Sequence, residues 1–138
     1  AELVRAMPSD VKRLGLSEDD KVIRIRRLRY CDDVPVILEE NHFPKEYAYL
    51  LAEDLNGSLN EILNRHGVSL VGGSKIIGVC YANREEARLL NIKENDALIL
   101  SKDVVHDAAG NAVYWGKEVI NVERYEYKIL INDRVEFG

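Results

Sequence analysis

One internal repetition constrains this chain more than any other feature. The segment LGLSEDDKVIRIRRLRY at residues 14–30 returns as LNIKENDALILSKDVVH at residues 90–106, an offset of 76 positions. The offset pairs Leu14 with Leu90, Leu16 with Ile92, Glu18 with Glu94, Asp20 with Asp96, Ile23 with Ile99 and Arg26 with Lys102. With one residue inserted the match continues, setting Asp33-Val34-Pro35-Val36 on Gly110-Asn111-Ala112-Val113. Self-similarity of this kind marks a repeated structural unit, and two copies are too few for a solenoid. A duplicated unit folded against itself is expected, and 138 residues suffice for one domain with its own core.

Both copies have the same order of helix, strand, turn and strand. Residues 6–14 and 83–90 read as short helices; Pro8 fits a first helical turn, and Asn83 with Glu86 forms a capping box. The polar turns at 17–20 and 93–96 then deliver β-rich runs at 21–30 and 97–106. Asp32-Asp33 and Gly110-Asn111 reverse the chain into strands at 34–42 and 112–121. Between the copies, residues 44–55 predict a short helix or turn. A further helix starts at Ser58, which forms a second capping box with Glu61; it puts Leu59, Ile62 and Leu63 on one face and stops at His66-Gly67. Residues 69–81 read as a strand broken at Gly72-Gly73 by a bulge; with no helix start behind the glycines, an anion-cradling loop is the weaker reading. Residues 124–131 predict a last strand, alternating Tyr125, Tyr127, Ile129 and Ile131. The total is about six strands and three or four short helices, an α+β antiparallel sheet.

Composition excludes several functions. The balance of 19 basic to 24 acidic residues, net −5, argues against a surface that grips a phosphate backbone. Cys31 and Cys80 lack metal-ligand spacing and read as free thiols in a reducing compartment. No apolar run approaches the ~20 residues of a membrane span, so no membrane partner is expected. No phosphate-loop, nucleophile-elbow or zinc pattern is present, His42, His66 and His106 are scattered, and neither metal nor cofactor is called for. The start on Ala1 suggests a domain cut from a longer protein.

The run Arg24-Ile25-Arg26-Arg27-Leu28-Arg29 carries the candidate chemistry. Strand alternation puts Arg27 and Arg29 on the face of Ile23 and Ile25, with Arg24 and Arg26 opposite. In the second copy Arg27 and Arg29 fall on Asp103 and Val105, so the charges have diverged while the framework stayed. Guanidiniums two residues apart suit a carboxylate or phosphate, with Glu39 of the returning strand near enough to orient one of them. A solvated edge, or a cross-strand ion pair with Glu39, explains the pattern equally well. Ser58 is a helix cap in its plain reading, and beside free backbone N–H groups it also suits an anion.

Taken in order, Arg27-Leu28-Arg29, Asp32-Asp33-Val34-Pro35, Val36-Ile37-Leu38-Glu39 and Phe43-Pro44 resemble the first hairpin of the UTRA ligand-sensing domain, the C-terminal part of HutC-type regulators of the GntR superfamily. Gly57-Ser58-Leu59 resembles its central helix start, and 82–90, 107–113 and Glu123-Arg124-Tyr125 resemble its second half. The resemblance runs over nearly all of 1–138. It implies a chorismate-lyase-like fold in a cytoplasmic, homodimeric one-component repressor. It also implies a small anionic effector, such as a sugar phosphate or acidic metabolite, and DNA contact only through a winged helix-turn-helix domain upstream. By the same resemblance the effector contacts are Arg27, Arg29, Glu39, Ser58 and Tyr125. The position after Ser58-Leu59, often tyrosine in the family, is Asn60 here, and the phosphate-binding loop found before the first helix in some members is truncated. An enzyme on the same fold, a lyase acting on an aromatic carboxylate, is the alternative the same arginines and glutamate would serve.

Overall fold

A computed structural model of the chain describes residues 1–123. Six strands and three α-helices follow one another as β1 (Glu2–Arg5), α1 (Pro8–Leu14), β2 (Lys21–Cys31), β3 (Val34–Pro44), a 3-10 helix (Lys45–Ala52), α2 (Leu59–Arg65), β4 (Leu70–Tyr81), α3 (Arg84–Leu90), β5 (Ala97–Asp107) and β6 (Ala112–Ile120). They form one antiparallel sheet in the order β1-β2-β3-β6-β5-β4.

That order is the duplication made visible. The halves β1-β2-β3 and β4-β5-β6 meet at the β3–β6 seam, and registers repeat at the sequence offset. Glu2 faces Arg24 as Gly78 faces Leu100, and Arg5 faces Lys21 as Tyr81 faces Ala97. Small features repeat as well. Ala6 N–H donates to Asp20 O at 2.9 Å, as Ala82 N–H does to Asp96 O at 2.8 Å. Ser17 N–H donates to Asp20 Oδ2 and Lys93 N–H to Asp96 Oδ2. The helix-ending residues Gly15 and Asn91, also 76 apart, are both left-handed, with φ of 66° and 55°. The left-handed turn frees the chain to reverse into the next strand, and Asn tolerates it second only to Gly. At the seam, Glu40 faces Lys117, its own counterpart under the 77-residue offset of the return strands. The pseudo-twofold axis passes between them.

The sequence missed β1. It is the counterpart of the last four residues of β4, and a comparison begun at Leu14 cannot reach it. The expected strand at 124–131 lies outside the described residues. Elsewhere the differences are at the ends: α1 begins at Pro8 rather than residue 6, because Met7 N–H is taken by Asp10 Oδ2 at 2.8 Å. The first hairpin turns on Asp32 and Asp33, both with positive φ (49° and 64°), the paired left-handed geometry that matches strand twist. The break at the two glycines is a register shift between Leu70 and Gly72. Gly73 is needed there, since a Cβ would stand 2.1 Å from Val104 O.

Two layers cover the sheet. On one face α1 packs Leu14 on Val22 and Trp115, and α3 packs Leu90 near Leu98 and Leu38, counterpart residues in both cases. Each helix thus braces the return strand of the other half. Asp10, fully buried on the inner side of α1, accepts from Trp115 Nε1 at 2.8 Å, and His42 Nδ1 stands 2.8 Å from the same oxygen. The opposite face carries Ile23, Ile25, Phe43 and Val113 under the 3-10 helix (Tyr47, Leu50) and α2 (Ile62, Leu63). These helices do not cover that face completely.

Candidate functional site

The uncovered part lies over the seam. Strand alternation and register set two rows of side chains across it: Arg27, Glu39, Glu118 and Ser101, then Ile25, Asn41, Gly116 and Asp103. Tyr114 stands beside them, its ring tilted against Phe43 at 5.1 Å. Leu59, Asn60 and Leu63 of α2 and Leu70 of β4 form the opposite wall, leaving a cavity of about 210 Å³. The cavity straddles the axis, so Arg27 and its counterpart Asp103 line it from opposite halves.

Arg27 holds the site together. Its Nε donates to Glu39 Oε1 at 3.0 Å and Nη2 donates to the same oxygen, while Nη1 donates to the carbonyls of Leu55 (3.2 Å) and Gly57 (2.9 Å). Four hydrogen bonds engage most of a guanidinium's five N–H groups. They tie the loop before α2 to the sheet. Glu39 Oε1 also accepts from Asn41 Nδ2 at 2.9 Å. The side chains of Arg27 and Glu39 are 15% and 14% exposed, so the pair is well screened from water.

The rest of the wall is acidic. Burial raises the carboxyl pKa of Asp103, and the charge of Glu39 adds to it while Lys75 opposes. Burial likewise raises Glu118, again with Glu39 adding and Lys75, followed by Arg29, opposing. Burial, reinforced by Asp103, Glu39 and Glu118, pushes the Tyr114 phenol up to about 12. The hydroxyl therefore stays protonated and able to donate.

Arg27 and Glu39 line this cavity; Arg29 and Ser58 do not. Arg29 is exposed further out along β2, close enough for its charge to act on Glu118. Ser58 is exposed and caps α2, accepting from Glu61 N–H at 3.3 Å, but the capping box expected there is not formed, since Glu61 returns no bond to the Ser58 N–H, whereas Asn83 and Glu86 form a reciprocal box at α3. Tyr125 lies outside the described residues. Asn41, Asp103, Tyr114 and Glu118 were not singled out as site residues. A signal existed for Asp103, the acidic counterpart of Arg27; the others follow from strand alternation only once register is known. Among the described residues no group of His, Cys, Asp or Glu could hold a metal ion, and no helix is long and apolar enough to cross a membrane.

These features define a duplicated α+β sheet domain with a polar cavity on its pseudo-twofold axis. The chain belongs to the UTRA domain family, whose model matches residues 1–126. It is 26% identical over 116 residues to the HTH-type transcriptional repressor NagR of Bacillus subtilis, covering 83% of this chain and 48% of that protein. It is 22% identical to the uncharacterized HTH-type transcriptional regulator YurK of the same organism, over 93% of this chain and 54% of that one. The chain thus spans about half the length of the curated relatives it matches. Its fold matches the C-terminal domain of Yurk from Bacillus subtilis (TM-score 0.84, 21% identity, 94% of this chain and 90% of that one). It also matches the effector domain of PhnF from Mycobacterium smegmatis (TM-score 0.84, 20% identity, 95% and 82%).

Proposed function

We propose that this chain is the effector-sensing part of a cytoplasmic, dimeric transcriptional regulator, joined in the longer protein to an upstream winged helix-turn-helix domain that contacts DNA. A small metabolite with an anionic group enters the cavity, its anion toward Arg29 and the Ser58 end of α2. The observation that carries this reading is the Arg27 clamp. One side chain ties the loop before α2 to the sheet at the cavity wall, so a ligand whose anion competes with Glu39 for Arg27, or that lodges against Asn60, changes how α2 sits. The names of its relatives, transcriptional regulators and effector domains, support the same reading. The ligand shifts the regulator only by its difference in affinity for the two states, typically ~1–3 kcal/mol of coupling.

Thermal unfolding of the chain with a panel of sugar phosphates and carboxylic acids tests this. A true effector at 100 times its Kd should add about 2.7 kcal/mol of stability. Arg29→Ala should weaken that gain. A panel in which no anion stabilises the chain overturns the anionic reading. Product release from chorismate that Glu39→Gln abolishes would replace the sensor by the lyase.

A further inference from the structure

The face of the sheet under α1 and α3 carries a second cavity, of about 170 Å³, and the duplication says what is missing from it. Leu38 and Val119 line it from the sheet, Asn83 and Glu86 from α3, and Glu40 and Lys117 from the axis. Moved by 76 residues on the helices and 77 on the return strands, the first four positions become Trp115, His42, Met7 and Asp10, while Glu40 and Lys117 exchange. In that half the space is full. The Trp115 indole, stacked on the His42 ring at 4.5 Å, donates from Nε1 to Asp10 Oδ1 at 2.8 Å, and Asp10 Oδ2 accepts the Met7 N–H. In the half that holds the cavity the same fittings lack the rings. Glu86 Oε1 accepts the Asn83 N–H at 3.0 Å, as Asp10 accepts that of Met7, so Glu86 Oε2 corresponds to the oxygen that takes the indole. Among the described residues nothing donates to it. Leu38 and Val119 replace two rings with smaller apolar side chains and leave an apolar floor. A cavity of about 150 Å³ is enough for a benzene ring.

We infer that this cavity is a second ligand site, for a small planar heteroaromatic that lies on Leu38 and Val119 and donates its ring N–H to Glu86 Oε2. A purely hydrocarbon ring would leave the carboxylate without a partner, and an aliphatic amine would leave the apolar floor bare; an aromatic ring with one polar edge meets both. The protein's own indole at the matching place is the template. Arg26, paired with Glu85 of α3 at 3.0 Å and with Glu40 at 3.5 Å, forms the remaining wall and ties α3 to the sheet beside the site. Strand alternation sets this cavity on the face opposite Arg27 and Glu39, so it stands apart from the one read above as the effector site. An occupant here touches α3 and both strands of the β3–β6 seam.

The test is an NMR titration of the ¹⁵N-labelled chain with indole and with benzofuran, a ring of the same shape that has oxygen in place of the N–H. Indole should shift the Leu38, Glu86 and Val119 amides saturably and bind at least about tenfold more tightly than benzofuran, the ratio expected for one hydrogen bond to a charged group. Glu86→Gln keeps the cap, since glutamine serves a capping box as glutamate does, but turns an NH₂ toward the ring; it should bring indole down to the affinity of benzofuran. Leu38→Trp gives this half the ring its counterpart already has and should abolish the indole shifts. The Trp115 indole N–H signal reports whether each variant is folded, and where Leu38→Trp is not, Glu86→Gln decides alone. No saturable shift at these amides, equal affinity for the two probes, or indole binding unchanged in Glu86→Gln overturns the site. Indole shifts confined to Arg27, Asn60 and Tyr114 overturn it as well, by placing the ring in the cavity on the other face.

Discussion

Replacing Arg27 with Lys should destabilise the chain by about 1–3 kcal/mol, because a lysine cannot serve Glu39 and two carbonyls from one planar fork. Urea unfolding measures this, and a value near zero would mean the loop before α2 holds itself. Asp10→Ala should cost more, about 2–4 kcal/mol, since it strands the buried Trp115 N–H and the Met7 N–H together. At this scale the sequence was half legible. Strand alternation put Arg27 on the face of Ile23 and Ile25, and an ion pair with Glu39 was one of its three open readings. What alternation cannot say is how far along a strand the covering helices end, and that distance separates Arg27, under α2, from Arg29, in the open. Asp10 was not anticipated at all: its partner is 105 residues away, and no local pattern reports such a contact.

Among the elements, caps and turns were the most readable because their chemistry is local. The Asn83–Glu86 box, the Asp32-Asp33 turn and the stop at Gly67 depend on a few adjacent residues, and each stands where its residues placed it. The cap at α2 is weaker, a single 3.3 Å bond without a return bond from Glu61. Asn83→Ala should therefore cost about 1 kcal/mol, and Ser58→Ala about half of that. Equal losses in thermal unfolding would mean the two caps are equally well made. Strand β1 was unreadable for the opposite reason. Four residues carry too little alternation to announce a strand, and their place is set by pairing with β2.

For the molecule as a whole, acidity at the seam should appear in the pH dependence of stability. Asp103 and Glu118 have carboxyl pKa values raised by burial, so the folded state binds protons better than the unfolded state. Their favourable contribution is complete below the ordinary carboxylate range and is lost as pH rises through that range to the raised values. Glu40 acts oppositely. Its hydrogen bond with His42 lowers its pKa, giving stability at neutral pH that is lost as pH falls from the ordinary range to the lowered value. Glu118→Gln should thus be more stable than the parent at about pH 7 and nearly equal to it at about pH 4, as urea unfolding at both values would reveal. A variant less stable at neutral pH would mean that Lys75 and Arg29 outweigh the burial. The repeat made the shared helix-strand-turn-strand unit and the antiparallel sheet legible before any of this, whereas the order of the strands, with the halves meeting at β3 and β6, shows only once they are paired.

The seam has a mechanical consequence. Each half keeps its own hairpin, and the two are joined by six facing residue pairs and by helices that reach across from one half to the other. A molecule seated over that line touches both copies at once and splints them. Whatever small angle the halves keep between them becomes part of what the occupant recognises, and fitting it more tightly is the same event as setting that angle.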